Sequence, residues 1–334
     1  VVKEVHMGKV SYGLLLPHFG EHASASSMIE GAKRAEELEF DSVWVRDHFL
    51  RFHGHGFEGS SATLVEPFVV LAGLAAATKK LKLGTAVAVP WRHPLYMAHL
   101  FASLDWLAEG RIIAGMGAGA TLFKDEFELV GLGLDDRVDA VKEAVEIMRL
   151  AWENDEITYD GRLFPVEGLG IAPRPKEKIP IWYGGSTPAS ARRAVEYCDG
   201  WFPGRITIPT FRVRMRQLRE LSDEKGQEMP TVGAVPPTSP DTTLAKALEP
   251  VNMGGLLDAA NKQRWWLKPK SGKFEKLEDL EGVIMAGTPE DIAQEVGKFI
   301  DAGIDHIVFD LRFRLHDYDY CMDLIGEEVL PLVK

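Results

Sequence analysis

The sequence predicts an α/β fold, a (β/α)8 TIM barrel forming a single domain over residues 1–334. Three observations lead there. Short apolar runs alternate with amphipathic helical patterns along the chain, the signature of βα units and a parallel sheet. About eight such units fit within 334 residues. No Gly-x-Gly-x-x-Gly follows the first run, so the alternative, an open doubly wound sheet, lacks its fingerprint.

Val10–Leu16 is the first run, and its helix covers about 27–38, with Ile29, Ala32, Ala35 and Leu38 at helical spacing. Ser42–Val45 is the second, ahead of a helix near Glu66–Thr78. Leu83–Val89 is the third, ahead of a helix over Pro94–Ala108 that opens on proline. Arg111–Gly115 precedes a long helix at Arg137–Trp152. Ile179–Tyr183 leads to Pro188–Tyr197, Gly200–Phe202 leads to Thr210–Lys225, and Thr231–Val235 opens the seventh unit. Ile304–Phe309 is the eighth strand, closed by a helix near Tyr318–Val329. Two segments break the alternation. Glu156–Val166 (EITYDGRLFPV) reads as an appended hairpin about a Tyr-Asp-Gly-Arg turn. Pro236–Ile284 is the largest insertion, placed after strand seven and expected to hold one or two short helices. Insertions after barrel strands fall on the C-terminal face. Two readings of it stand: a lid on the mouth, or a solvated excursion packed down by Trp265 and Trp266.

Hydrophobic residues make up 46% of the chain and charged ones 26%, enough for a large core. The formal charge of −12 argues against a nucleic-acid or anionic-membrane surface. The apolar run Thr63–Ala77 is broken by Glu66, Pro67 and Gly73, so no membrane span is expected. The opening Val1–His6 is too polar for a secretory signal. Cys198 and Cys321, far apart, fit free thiols in a reducing compartment, and a cytoplasmic protein is expected.

Chemistry is expected where strands end at the C-terminal mouth. In DSVWVRDHFL the second strand runs into Asp47 and His48. A group that titrates near neutrality beside a carboxylate suits proton transfer, although such pairs also occur at plain strand ends. Arg46 alternates away and reads as a rim charge. The third strand ends LGTAVAVPWRHP, where Gly84, Thr85 and Ala86 admit either a flat ligand or close packing. Gly115, Gly117 and Gly119 leave bare backbone at the fourth strand end and read as a ligand slot. In IWYGGSTPASARRA a strand runs into Gly184, Gly185, Ser186 and Thr187 before Pro188 opens a helix. Free N–H groups, two hydroxyls and paired glycines make an anion site suited to phosphate, more than an N-cap needs. Trp91, Arg92, Trp265 and Trp266 are candidates to line a slot. No Walker Gly-Lys-Ser/Thr, HExxH, paired CxxC or GxSxG occurs, and His53 and His55 lack evident partners, so no metal is expected. Asp125, Glu126 and Glu128 admit an acid pair, but at a helix start they read first as acids facing the dipole and solvent.

Taken together, YGLLLPHFG, EFDSVWVRDHF, LKLGTAVAVPWRHPLYMAHLFASLDWLAEGRIIAGMGAG, IPIWYGGSTPASARRAVEYCDGWFP and GTPEDIAQEVGKFIDAGIDHIVFD resemble the bacterial luciferase-like superfamily of oxidoreductases. They follow family order along the chain, with the 236–284 insertion outside them; LD-x-L-x-x-GR followed by GxGxG is the most specific part. The resemblance implies FMN or the deazaflavin coenzyme F420 at the mouth. Its ring would lie against Thr85, Ala86, Val87, Gly115, Gly117 and Gly119, and its phosphate against Gly184, Gly185, Ser186 and Thr187. It also implies a non-prolyl cis peptide at Ala86–Val87, and His48 as the proton-transfer group with Asp47 setting its orientation or charge. Asp-His, where luciferases tend to show Glu-His, leans toward F420. Some deazaflavin sugar dehydrogenases carry Glu directly after the GxGxG glycines. Ala120 stands here, so their substrate does not carry over. The implied reaction on a small organic substrate is hydride transfer with F420 or monooxygenation with reduced FMN. A homodimer and a separate reductase supplying reduced cofactor are possible partners. A non-catalytic barrel binding a phosphorylated ligand is the alternative function.

Overall fold

The computed structural model describes residues 9–20, 22–50 and 65–334. The expectations for Val1–His6, His53 and His55 lie outside the described residues. Eight parallel strands close a barrel in chain order, the eighth returning to pair with the first. They are Ser11–Leu15, Ser42–Val45, Lys82–Thr85, Ile112–Met116, Ile181–Gly184, Gly200–Phe202, Thr231–Ala234 and His306–Asp310. Gly13 pairs with Val308 on one side and with Ser42 on the other. Leu14, Val43, Ala114 and Phe309 join the helices in the main core, whereas Leu15, Trp44, Ile113, Trp182, Phe202 and Val308 fill the barrel interior. That alternation is the period-two pattern of strands covered on both faces.

The interior is packed by rings against glycines. The Trp44 ring centroid lies 4.6 Å from that of Phe202 and 5.4 Å from that of Trp182. An added Cβ at Gly84 would overlap the Trp44 ring, and one at Gly200 the Trp182 ring. Large and small residues on neighbouring strands thus interlock in the barrel interior. Around it, the helices Pro188–Tyr197, Ile208–Lys225 and Pro289–Asp301 each carry proline in the first turn and a threonine N-cap. Among the described residues no helix is long and apolar enough to cross a membrane.

Three expectations are refined. The third strand stops at Thr85 rather than Val89, and the Ala86–Val87 peptide that follows is cis. The hairpin pairs Ile157–Tyr159 with Val166–Leu169, so its loop is wider than a four-residue turn. Glu143 is the reason: its carboxylate gathers the N–H groups of Arg162, Leu163 and Phe164 at 2.9–3.3 Å. The insertion holds the helices Leu244–Leu248 and Met253–Lys262, and Thr238–Pro240 within it pairs with Met285–Gly287. Trp266 is buried in the insertion's own apolar cluster; Trp265 is exposed and does not pack it down.

Two buried histidines tie strands together in neutral form. Trp44 Nε1 donates to Ser42 Oγ at 2.7 Å, and Ser42 Oγ lies 2.8 Å from His306 Nε2 inside the barrel. Burial, with Lys82 adding repulsion, pushes the His306 imidazole down to about 3. Burial and the Arg46 charge push His18 down to about 4, and its Nε2 accepts from the Arg46 N–H at 2.8 Å. An unfolded chain binds these protons near pH 6.5 while the fold refuses them, so stability falls as pH drops from about 6.5 toward 4. Each histidine contributes a slope of up to about 1.4 kcal/mol per pH unit. Urea unfolding between pH 5 and 7 is expected to show that slope, and His306→Gln to remove its share. An unchanged slope in the variant would mean that His306 takes up a proton in the fold.

Candidate functional site

The strand ends from the second to the fifth form a contiguous arc of the barrel mouth. At the second, Asp47 is buried and its hydrogen bonds go to Arg92 (2.9 and 3.1 Å) and to the Val89 N–H (3.0 Å). Burial pushes its carboxyl up, opposed by the Arg92 guanidinium and the Val89 N–H. Arg92 also reaches Glu66 at 2.6 Å and lies over the Phe68 ring. Asp47 therefore clamps the second strand end to the segment after the third. It makes no hydrogen bond to His48, so the structure gives it no part in orienting that ring.

Glu126 holds that place instead. His48 Nδ1 lies 2.9 Å from Glu126 Oε2, while Oε1 accepts from the N–H groups of Phe49 (2.8 Å) and Leu50 (3.1 Å). Burial pushes the Glu126 carboxyl up, but His48 and the two N–H donors outweigh it and hold it below its usual value. An ionised acceptor requires a proton on Nδ1. Nε2 is then the nitrogen left for a ligand, and it has no partner among the described residues. The imidazole lies against Phe123, with ring centroids 3.9 Å apart.

The reading of Glu126 as a solvent-facing helix-start acid is thus corrected: it is 2% exposed, whereas Asp125 and Glu128 face solvent. The signal available in the sequence was the spacing of Phe123, Glu126 and Phe127, which share one helical face. Trp91 packs on Phe127 and Phe49, which makes it a wall behind the same loop.

At the third strand end, Ala86 and Val87 are half-buried across the cis peptide and sit at the top of the barrel interior. Ala86 N donates to Val45 O, and Ala88 N to Gly115 O, both at 2.7 Å. An added Cβ at Gly115 would overlap the Thr85 carbonyl, and one at Gly117 the Val87 side chain. One at Gly184 would lie 2.9 Å from Val87 Cγ1. The space beside Gly115 and Gly117 is therefore filled by the protein itself. These glycines let the third strand's end lean across the fourth and present a flat apolar platform. Gly119 turns the chain at φ 67° toward the loop that carries Phe123 and Glu126.

At the fifth strand end, Gly185 takes φ 123° and turns its carbonyl inward, to Trp201 Nε1 (2.8 Å) and Ser190 Oγ (2.7 Å). Arg214 Nε donates to the Ser186 carbonyl at 3.3 Å. In a trans peptide the N–H points opposite the carbonyl, so the Ser186 and Thr187 N–H groups face away from these donors. Neither has a partner among the described residues. Thr187 Oγ1 caps the helix by accepting from Ser190 N at 3.0 Å. Two outward N–H groups at a helix start beside a hydroxyl fit a phosphate. The platform lies between this loop and His48, as a planar ring with a phosphorylated tail requires. Among the described residues no cluster of His, Cys, Asp or Glu suits a metal.

A family model described as luciferase-like monooxygenase matches residues 10–306. The chain is similar to an F420-dependent glucose-6-phosphate dehydrogenase of Amycolatopsis mediterranei (strain U-32), 26% identical over 98% of this chain and 99% of that one. Its fold is similar to an F420-dependent secondary alcohol dehydrogenase solved with an F420–acetone adduct, at 24% identity and TM-score 0.81, covering 98% and 100% of the two chains. It is also similar in fold to the FMN-bound oxygenating constituent of 3,6-diketocamphane monooxygenase from Pseudomonas putida, at 17% identity and TM-score 0.76, covering 97% and 99%. With the family match running from the first strand to the start of the eighth, this chain belongs to the luciferase-like monooxygenase family.

Proposed function

We propose that this protein is an oxidoreductase that binds F420 in preference to FMN and transfers a hydride to or from a small organic substrate. The observation that carries the reading is the His48–Glu126 pair beside the Ala86–Val87 platform. Bound F420 supplies hydride chemistry at its ring C5, whereas reduced FMN would supply oxygen activation. Everything else falls to the chain. Ala86 and Val87 support the ring face, the Ser186 and Thr187 N–H groups bind the phosphate, and Phe123 and Trp91 exclude water from the loop that holds His48. Glu126 keeps the Nδ1 proton in place, so His48 accepts or donates the reaction's proton at Nε2. Preference for F420 rests on Asp47-His48 and on the F420 dependence of the curated relative. That relative's sugar phosphate is not carried over, because Ala120 replaces the acid expected after the glycines.

The protein works in the cytoplasm, where Cys198 and Cys321 stay as free thiols. A separate reductase renews the reduced cofactor whenever turnover consumes it. Two copies associate through the helices Pro67–Ala77 and Pro94–Ala108. The first helix (PFVVLAGLAAA) has no charged residue, and the pair exposes Val69, Tyr96, Trp106 and Leu107. A helix apolar on all sides belongs in a core or an interface.

Three outcomes are expected. Titration with F420H2 and with FMNH2 gives tighter binding of F420H2 and turnover without oxygen uptake; oxygen consumption with FMNH2 would select monooxygenation instead. His48→Ala lowers kcat by roughly 10²- to 10⁴-fold, the usual worth of a general acid or base, with cofactor Kd nearly unchanged, and Glu126→Gln falls between it and wild type. Full turnover in His48→Ala would remove the proton-transfer role. Trp106→Glu yields a monomer in light scattering, whereas wild type runs as a dimer.

A further inference from the structure

Arg214 is one of two arginines, with Arg314, that rank as buried among the described residues. Arg314 is neutralised by Asp241 and Asp317. Arg214 has no carboxylate within ion-pair distance among the described residues. Its partners are two neutral carbonyls: Ser186 O at 3.3 Å from Nε, and Trp265 O at 2.9 Å from Nη2. A buried guanidinium without counter-charge is costly, and burial pushes its pKa down. The residue nevertheless sits directly behind the loop whose N–H groups face outward.

The insertion meets the same loop. The Trp266 indole is buried with Nε1 at 3.4 Å from Ser186 Oγ, and Leu267 N donates to Thr210 Oγ1 at 2.9 Å. Thr210 Oγ1 in turn lies 2.6 Å from Thr207 Oγ1, the cap of the helix that carries Arg214. The segment 265–267 is therefore fastened to Ser186 and to the helix behind it, through one charged group, one indole and one threonine.

We propose that Arg214 is the missing charge of the phosphate site and that Trp265–Leu267 is a clasp behind its loop, so that phosphate binding and seating of the insertion reinforce each other. The inference rests on the cofactor reading above but concerns the phosphate alone. The guanidinium compensates the bound anion and also fixes the Ser186 carbonyl, which aims the Thr187 N–H. An anion in the loop would give Arg214 the counter-charge that the protein does not provide. By linkage, whatever stabilises the clasp then tightens the anion by the same factor.

The test compares wild type, Arg214→Gln and Arg214→Lys for FMN against riboflavin, and for F420 against its ring-and-ribityl fragment without phosphate. Arg214→Gln is expected to weaken the phosphorylated ligands by tenfold or more while phosphate-free ligands bind as before, and Arg214→Lys to recover part of the loss. Equal weakening of both ligand classes would reduce Arg214 to a structural support and overturn the proposal. A second arm uses inorganic phosphate and hydrogen exchange at the Leu267 amide. Phosphate slows exchange several-fold in wild type and not in Arg214→Gln; no slowing in wild type would sink the coupling. If wild type bound neither cofactor, the preceding reading would fail while the phosphate arm still decided this one.

Discussion

The close approach of the third strand's end to the fourth and fifth strands is the contact on which the mouth depends. Val87 sits where Gly117 and Gly184 have no side chains, and the Thr85 carbonyl occupies the Cβ position of Gly115. Any larger residue at Gly115 would collide with backbone, which cannot move as a side chain can. The contact draws three strand ends into one surface. It is locked from the other side by Asp47, which takes the Val89 N–H two residues beyond the platform. The glycines therefore contribute by what they allow the protein's own chain to do, and the surface proposed for the cofactor is the face of Ala86–Val87 that remains.

Two carboxylates near His48 divide the work by burial and partner. Asp47 is paired with Arg92, an ion pair whose loss would leave a buried charge and loosen the platform. Glu126 is paired with the imidazole and with two backbone donors, so it sets both the ring's tautomer and the path of the loop 48–50. Adjacent sequence positions suggested that Asp47 would orient His48. The extended backbone sends successive side chains to opposite sides, so neighbours in sequence are poor candidates to touch.

The fold was legible because its signals are local. Runs such as Ser42–Val45, and prolines opening helices at Pro94 and Pro188, mark barrel units without knowledge of their partners. The cis bond at Ala86–Val87 was expected from family resemblance and is present. What stayed hidden depends on distant pairs. Glu126 lies 78 residues from His48, and Arg214 lies 51 from Trp265. An acid at a helix start and an arginine within a helix both have ordinary surface explanations. Only the closed barrel, which brings the loop after strand four over the end of strand two, removes them.

The insertion shows how an added segment joins the barrel frame. It has its own apolar cluster, including Leu256, Ala260, Trp266, Phe274 and Leu280. Its links to that loop are a few hydrogen bonds from Arg214, Thr210 and Ser186. The segment 265–267, held to that loop by so few bonds, can shift there without unfolding the insertion, because few contacts must break. Placing the attachment at the Ser186–Thr187 loop leaves His48 and the platform on the other arm of the mouth unencumbered. If the proposed phosphate site is right, variation in the insertion changes how firmly the cofactor's tail is held while the chemistry at its ring stays as the barrel sets it.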